Sequence, residues 1–150
     1  MPDDLTVAET PWFRVSACRD CDVPGYLILS AREHTLAEMP APALASLGPL
    51  MSAVELAARE ATRAECVYLL RFAESGGGLH FHVFPRTAAL ALQWRTETGH
   101  PAGSLIGEDI FSWARRTHLL IHGATLSAAT LEVARTIRER LAAALTRDGG

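Results

Sequence analysis

Two periods of hydrophobic spacing divide this chain. Leu5 to Glu9 and Trp12 to Ala17 are short runs with alternating apolar positions, separated by the turn signal Thr10-Pro11, and predict two strands. Cys18 to Gly25 gathers turn formers and predicts a loop. Tyr26 to Ser30 (YLILS) is a continuous apolar run suited to a buried strand, and the loop from Ala31 to Ala41 after it contains His34. Leu44, Leu47, Leu50, Met51, Val54 and Ala58 then recur at helical spacing. Pro40 and Pro42 suit a helix start, and Glu55, Arg59, Glu60 and Arg63 fill the solvated side, so a helix is predicted over 42–62. Cys66 to Phe72 predicts a strand, Ala73 to Gly78 a loop, and Leu79 to Phe84 a strand stopped by Pro85. Residues 86–103 give no clear period. Glu108 to His118 predicts a helix that turns Phe111, Trp113 and Leu119 toward the core. Ser127 is a suitable N-cap for a last helix with the stripe Leu131, Ala134, Ile137, Leu141 and Leu145. There is no repeat. The order of elements predicts an α+β fold, an antiparallel sheet with helices packed on it.

A length of 150 residues fits one domain, 1–150, with a real core, and 49% hydrophobic with 21% charged residues is a globular composition. No apolar run approaches the roughly 18 to 20 residues of a membrane span, so no membrane partner is expected. The start, MPDDLTVAET, has no basic and then apolar stretch of a signal peptide, and a cytoplasmic location is expected. Cys18, Cys21 and Cys66 are too few for a disulfide framework. A net charge of −3 argues against nucleic acid as a partner, but leaves room for a small phosphate ligand at a locally positive site. Every basic residue is Arg, which removes Schiff-base lysine chemistry and the P-loop lysine.

The chemistry concentrates in Leu79-His80-Phe81-His82-Val83-Phe84. Alternate residues of a strand share a face, so His80 and His82 point one way and Leu79, Phe81 and Val83 the other, into a core. Gly76, Gly77 and Gly78 precede them, and successive glycine amides can cradle an anion. Ser75 adds a hydroxyl, and Arg86 offers a counter-charge to phosphate. A neutral imidazole at His80 can attack phosphorus in line and give a covalent intermediate that water hydrolyses, while His82 binds a phosphoryl oxygen or holds the geometry. Loop amides and the Ser75 hydroxyl would stabilise the equatorial oxygens. The spacing alone is equally compatible with two half-exposed strand histidines.

LHFHVFPR resembles the second half of the histidine-triad (HIT) motif, His-φ-His-φ-His-φ-φ followed by Pro-Arg. On that resemblance His80 falls on the nucleophile, His82 on the third histidine and Ser75 on the phosphate-contacting hydroxyl. PGYLILSAREH resembles the family's Pro-Gly-His-x-Leu-Val strand, and the resemblance covers about residues 12–86, leaving 87–150 as a C-terminal helical extension. It implies a HIT-like antiparallel sheet with a long helix packed on it, and a homodimer formed by joining sheets. It also implies hydrolysis or transfer at the α-phosphate of a dinucleoside polyphosphate or nucleoside phosphoramidate, with no cofactor required. The sequence departs from the pattern at three places. Gly78 replaces the first histidine, Glu74 stands where Gln is common, and Cys18 stands where an Asp or Asn usually holds the ribose.

Two other functions compete. Cys18-x-x-Cys21 with His80 and His82, or with His34, supplies ligand types for zinc. A chain that has lost one triad histidine can also be a nucleotide-binding module without catalysis. His100, His118 and His122 read as surface or capping groups, and Cys66 as a core residue. Trp94, Phe111 and Trp113 read as packing residues, Trp94 being near enough in sequence to line the site. Arg115-Arg116 reads as a solvated helix end.

Overall fold

Strand-forming runs rich in Val, Leu, Ile and Phe pair into one sheet in the computed structural model, which describes residues 5–31, 35–72 and 78–147. The strands are β1 (Thr6–Glu9), β2 (Phe13–Ala17), β3 (Leu27–Ala31), β4 (Cys66–Leu70) and β5 (His80–Arg86). All neighbours are antiparallel and the order is β1-β2-β3-β5-β4. The expected α+β architecture is what forms. The last strand in sequence lies between β3 and β4, which sets Ile28 on one side of His82 and Leu70 on the other.

Pro85 does not stop β5, which continues to Arg86. The amide of Ala31 donates to the carbonyl of Leu79, so odd-numbered residues of β5 direct their backbone groups toward β3. The β3 pairing ends at Leu27↔Val83. The N–H that Pro85 lacks would therefore point where no strand remains to receive it. The turn into β3 uses Gly25 at φ +79, where a Cβ would lie 2.4 Å from Thr62 Cγ2.

Helices cover both faces. α1 (Ala41–Thr62) and α4 (Ala128–Arg147) pack on the face that carries Leu27, Leu29 and Val83, burying Leu47, Leu50, Val54, Ile137 and Leu141. By length and composition alone α1 is apolar enough to cross a membrane, contrary to the expectation that no segment is. One of its sides is buried against the sheet and α4. Ser127 caps α4 as expected, its Oγ accepting from the amide of Thr130 at 3.3 Å. Asp22 adds a second cap by accepting from Thr130 Oγ1 at 2.6 Å and from Ser127 N at 3.1 Å.

The opposite face is covered by α2 (Ala88–Thr98), in the stretch where no period was legible, and α3 (Gly107–Thr117). Tyr26, Phe84, Trp94, Ile110, Phe111 and Trp113 form this second core. Leu119, expected to turn inward with α3, lies beyond its end and is 54% exposed, and Leu131 of the expected α4 stripe is also exposed.

Candidate active site

β5 presents His80 and His82 on the same face, as its alternation requires, with ring centroids 5.3 Å apart. Leu79 and Val83 are buried in the main core, and Phe81 packs partly against it. The two histidines sit in different surroundings. His80 is half-buried, and its Nδ1 lies 3.3 Å from the carbonyl oxygen of Gly78. A carbonyl only accepts, so in the neutral ring this contact places the proton on Nδ1 and the lone pair on Nε2. Gly78 thus holds the ring through its backbone carbonyl.

His82 is only 7% exposed. Its Nδ1 is 2.8 Å from the Tyr26 hydroxyl, and Phe111 of α3 packs edge-on to it at 5.5 Å. Burial, then the charge of Arg115, then that of His80, pull its pKa down to about 4, so the ring is neutral at cellular pH. Burial, foremost among several causes, raises the pKa of Tyr26, which keeps its proton.

Beside His82 opens a cleft of about 480 Å³, lined by Ser16, Cys18 and Tyr26 among others. Arg14, Arg19 and Arg115 bring positive charge to it, against one carboxylate, Asp20. Arg14 is engaged with Glu9 at 2.9 Å. Arg115 enters from α3, one turn after Phe111, and so belongs to the site rather than to a solvated helix end; its neighbour Arg116 is exposed.

Of the other expected site residues, Cys18 lines the cleft as a buried thiol whose pKa burial raises. Ser75, Gly76 and Gly77, with Glu74 and His34, lie outside the described residues. Arg86 is not brought to the cleft. It stands at the far end of β5, 3.4 Å from Glu65, with its guanidinium 5.9 Å from the Tyr68 ring centroid. Trp94 is buried in the second core and stacks on His100 at 4.2 Å, away from the cleft lining.

Zinc finds poor ligands among the described residues, where no three His, Cys, Asp or Glu side chains gather. Cys21 donates to the carbonyl of Ala114 at 3.7 Å, and burial followed by the nearby Cys18 pushes its pKa up to about 12. Nδ1 of His82 is already taken by Tyr26.

Tyr26 and Arg115 are site residues that the sequence did not single out. Tyr26 stands two positions before Ile28, which pairs with His82, so it shares the histidine face once the β3–β5 register is known. Arg115 follows Phe111 by four residues, one turn of the same helix, which becomes informative only when α3 is known to lie over β5.

A sheet of this order, a long helix on one face and paired histidines on its penultimate strand define the histidine-triad fold. Solved histidine-triad structures share it over nearly the whole chain. A histidine triad protein from Bradyrhizobium japonicum superposes with a TM-score of 0.61 at 17% identity, covering 93% of this chain and 91% of that one. A Hit-like protein from Bartonella henselae described as involved in cell-cycle regulation gives 0.58 at 16% identity, covering 93% and 88%. A zinc-bound histidine triad family protein from Mycobacterium smegmatis gives 0.57 at 16% identity, covering 96% and 88%. No family model and no curated protein matches the sequence.

Proposed function

We propose that this chain is a nucleotide hydrolase or nucleotidyl transferase in which His80 attacks the α-phosphorus of a dinucleoside polyphosphate or nucleoside phosphoramidate. The observation that carries the reading is the contact of His80 Nδ1 with the Gly78 carbonyl, which in the neutral ring leaves the lone pair on Nε2, on the strand face shared with His82 of the arginine-lined cleft. In the first step the Nε2 lone pair forms an N–P bond, and the P–O or P–N bond to the leaving group breaks with its electron pair. In the second, the oxygen of water attacks phosphorus, the N–P pair returns to Nε2, and the water's proton passes to solvent, balancing the proton that the leaving group takes up on departure. Tyr26 donates to Nδ1 of His82, which places a proton on Nε2 of His82 for a phosphoryl oxygen. Ser75 and the amides of Gly76 to Gly78 would add donors from the preceding loop. No step passes through a metal. The reading includes a homodimer joined along β4.

The test is AMP release from diadenosine tetraphosphate and from adenosine 5′-phosphoramidate after chelator treatment. His80→Ala is expected to abolish turnover, a loss of at least about 1,000-fold, with an unchanged circular dichroism spectrum. His82→Ala should slow turnover less. Wild-type turnover in His80→Ala would sink the mechanism. Absence of turnover in the wild type, with AMP still bound, would favour a nucleotide-binding module.

A further inference from the structure

The cleft beside His82 is completed by a residue from outside the sheet. α3 lies over the histidine face because Ile110, Phe111, Trp113 and Ala114 bury into the second core. Phe111 packs on His82, and Arg115, four residues later, emerges on that same side one turn further along. Its guanidinium carbon is 5.8 Å from the Phe111 ring centroid, and its side chain lines the cleft with Ser16, Cys18, Tyr26 and His82. Among the described residues no carboxylate forms an ion pair with it. A half-buried guanidinium in such a place, with no carboxylate paired to it among the described residues, is one from which a bidentate oxyanion gains most. That charge already acts across the cleft, since it is second only to burial in holding His82 neutral.

We infer that Arg115 is a substrate-binding residue that holds a phosphoryl group of the substrate in the cleft beside His82. The inference rests on the proposed nucleotide chemistry. It gives the C-terminal helices a task, because α2 and α3 would then deliver part of the active site rather than only cover the sheet. It also narrows the substrate class to one that keeps an anionic group beside His82.

Calorimetric titration with AMP, adenosine and pyrophosphate separates the possibilities, because none of these probes is turned over. Arg115→Ala is expected to weaken AMP at least tenfold and leave adenosine unchanged, with Arg115→Lys intermediate. Arg115→Gln, closer in shape, should repeat the loss of AMP and guards against a local collapse on truncation. Arg116→Ala, an exposed neighbour on the same helix, should bind AMP as the wild type does. The inference is overturned if AMP binds Arg115→Ala normally, if adenosine weakens by the same factor, or if Arg116→Ala is equally impaired. If the wild type binds neither AMP nor adenosine, the nucleotide reading fails by itself. Pyrophosphate then decides the arginine: binding lost in Arg115→Ala upholds an anion site, and binding unchanged or absent from the wild type refutes it.

Discussion

His82 and His80 are two residues apart and differ in burial, His82 being enclosed and His80 half-exposed. Unfolded, His82 titrates near 6.5; folded, burial and the neighbouring Arg115 hold it near 4. Between these values the unfolded chain takes up a proton that the folded chain refuses, so the stability contributed here rises with pH. It is fully present above about 6.5 and is lost progressively as pH falls toward 4. From pH 7 to pH 5 the loss from this one group amounts to about 2 kcal/mol. Urea unfolding of the wild type beside His82→Asn at both pH values isolates it. The stability difference between the two proteins should shrink by that amount at pH 5, and a constant difference would mean that His82 is not kept neutral. The pair of histidines was legible from strand alternation, but the asymmetry was not. It arises from Tyr26 and Phe111, which are distant in sequence and meet His82 only through β3 pairing and the packing of α3.

At the scale of elements, one glycine joins three of them. Gly25 turns the chain into β3 while lying against the last turn of α1 and against Pro85 of β5. Two costs meet in Gly25→Ala. The positive φ strains any L side chain, and the new methyl would lie 2.4 Å from Thr62 Cγ2, whose side chain is held by a 2.7 Å bond from Oγ1 to the carbonyl of Ala58. The expected loss is about 2–4 kcal/mol by chemical denaturation. Gly99→Ala is the control, because Gly99 has φ +74 and nothing within 4 Å of a built Cβ; it should lose only about 1 kcal/mol. Equal losses would show that crowding at Gly25 contributes nothing. The strands β3 and β5 and the helix α1 were readable because a single period ran through each. α2 was not, although Thr87 and Gly99 cap it, because exposed Leu92 interrupts the pattern of buried Leu90, Ala91 and Trp94. The end of β5 was misread for a tertiary reason: whether a proline stops a strand depends on what lies across its missing N–H, and that is set by where β3 ends.

For the whole molecule, the sheet has two edges and they are not alike. β1 has four residues, its register shifts between Thr6 and Ala8, and Arg138 of α4 donates through Nε to the carbonyl of Thr6 at 3.0 Å. Short length, a bulge and a capping side chain are the features that keep an edge from pairing. β4 shows a regular register along Cys66 to Leu70. The parity that directs even residues of β5 toward β4 makes Cys66, Tyr68 and Leu70 the inward-bonding positions, leaving the N–H groups of Val67 and Leu69 pointing outward. Pairing of two such strands would extend the sheet across a two-fold axis, the geometry implied by the proposed homodimer. Light scattering behind size exclusion is expected to give twice the 16.2 kDa chain mass. Leu69→Pro removes one outward donor without touching the β4–β5 ladder, and Leu69→Lys places charge on the edge; both are expected to yield the single-chain mass with an unchanged circular dichroism spectrum. A wild type at the single-chain mass would sink the dimer, and a dimer that survives both substitutions would place its interface elsewhere. Because Leu70 is paired with His82, an interface on β4 would stand one strand from the two histidines, and under the proposed chemistry loss of the dimer should lower turnover through the set of β5 rather than by removing any residue from the cleft.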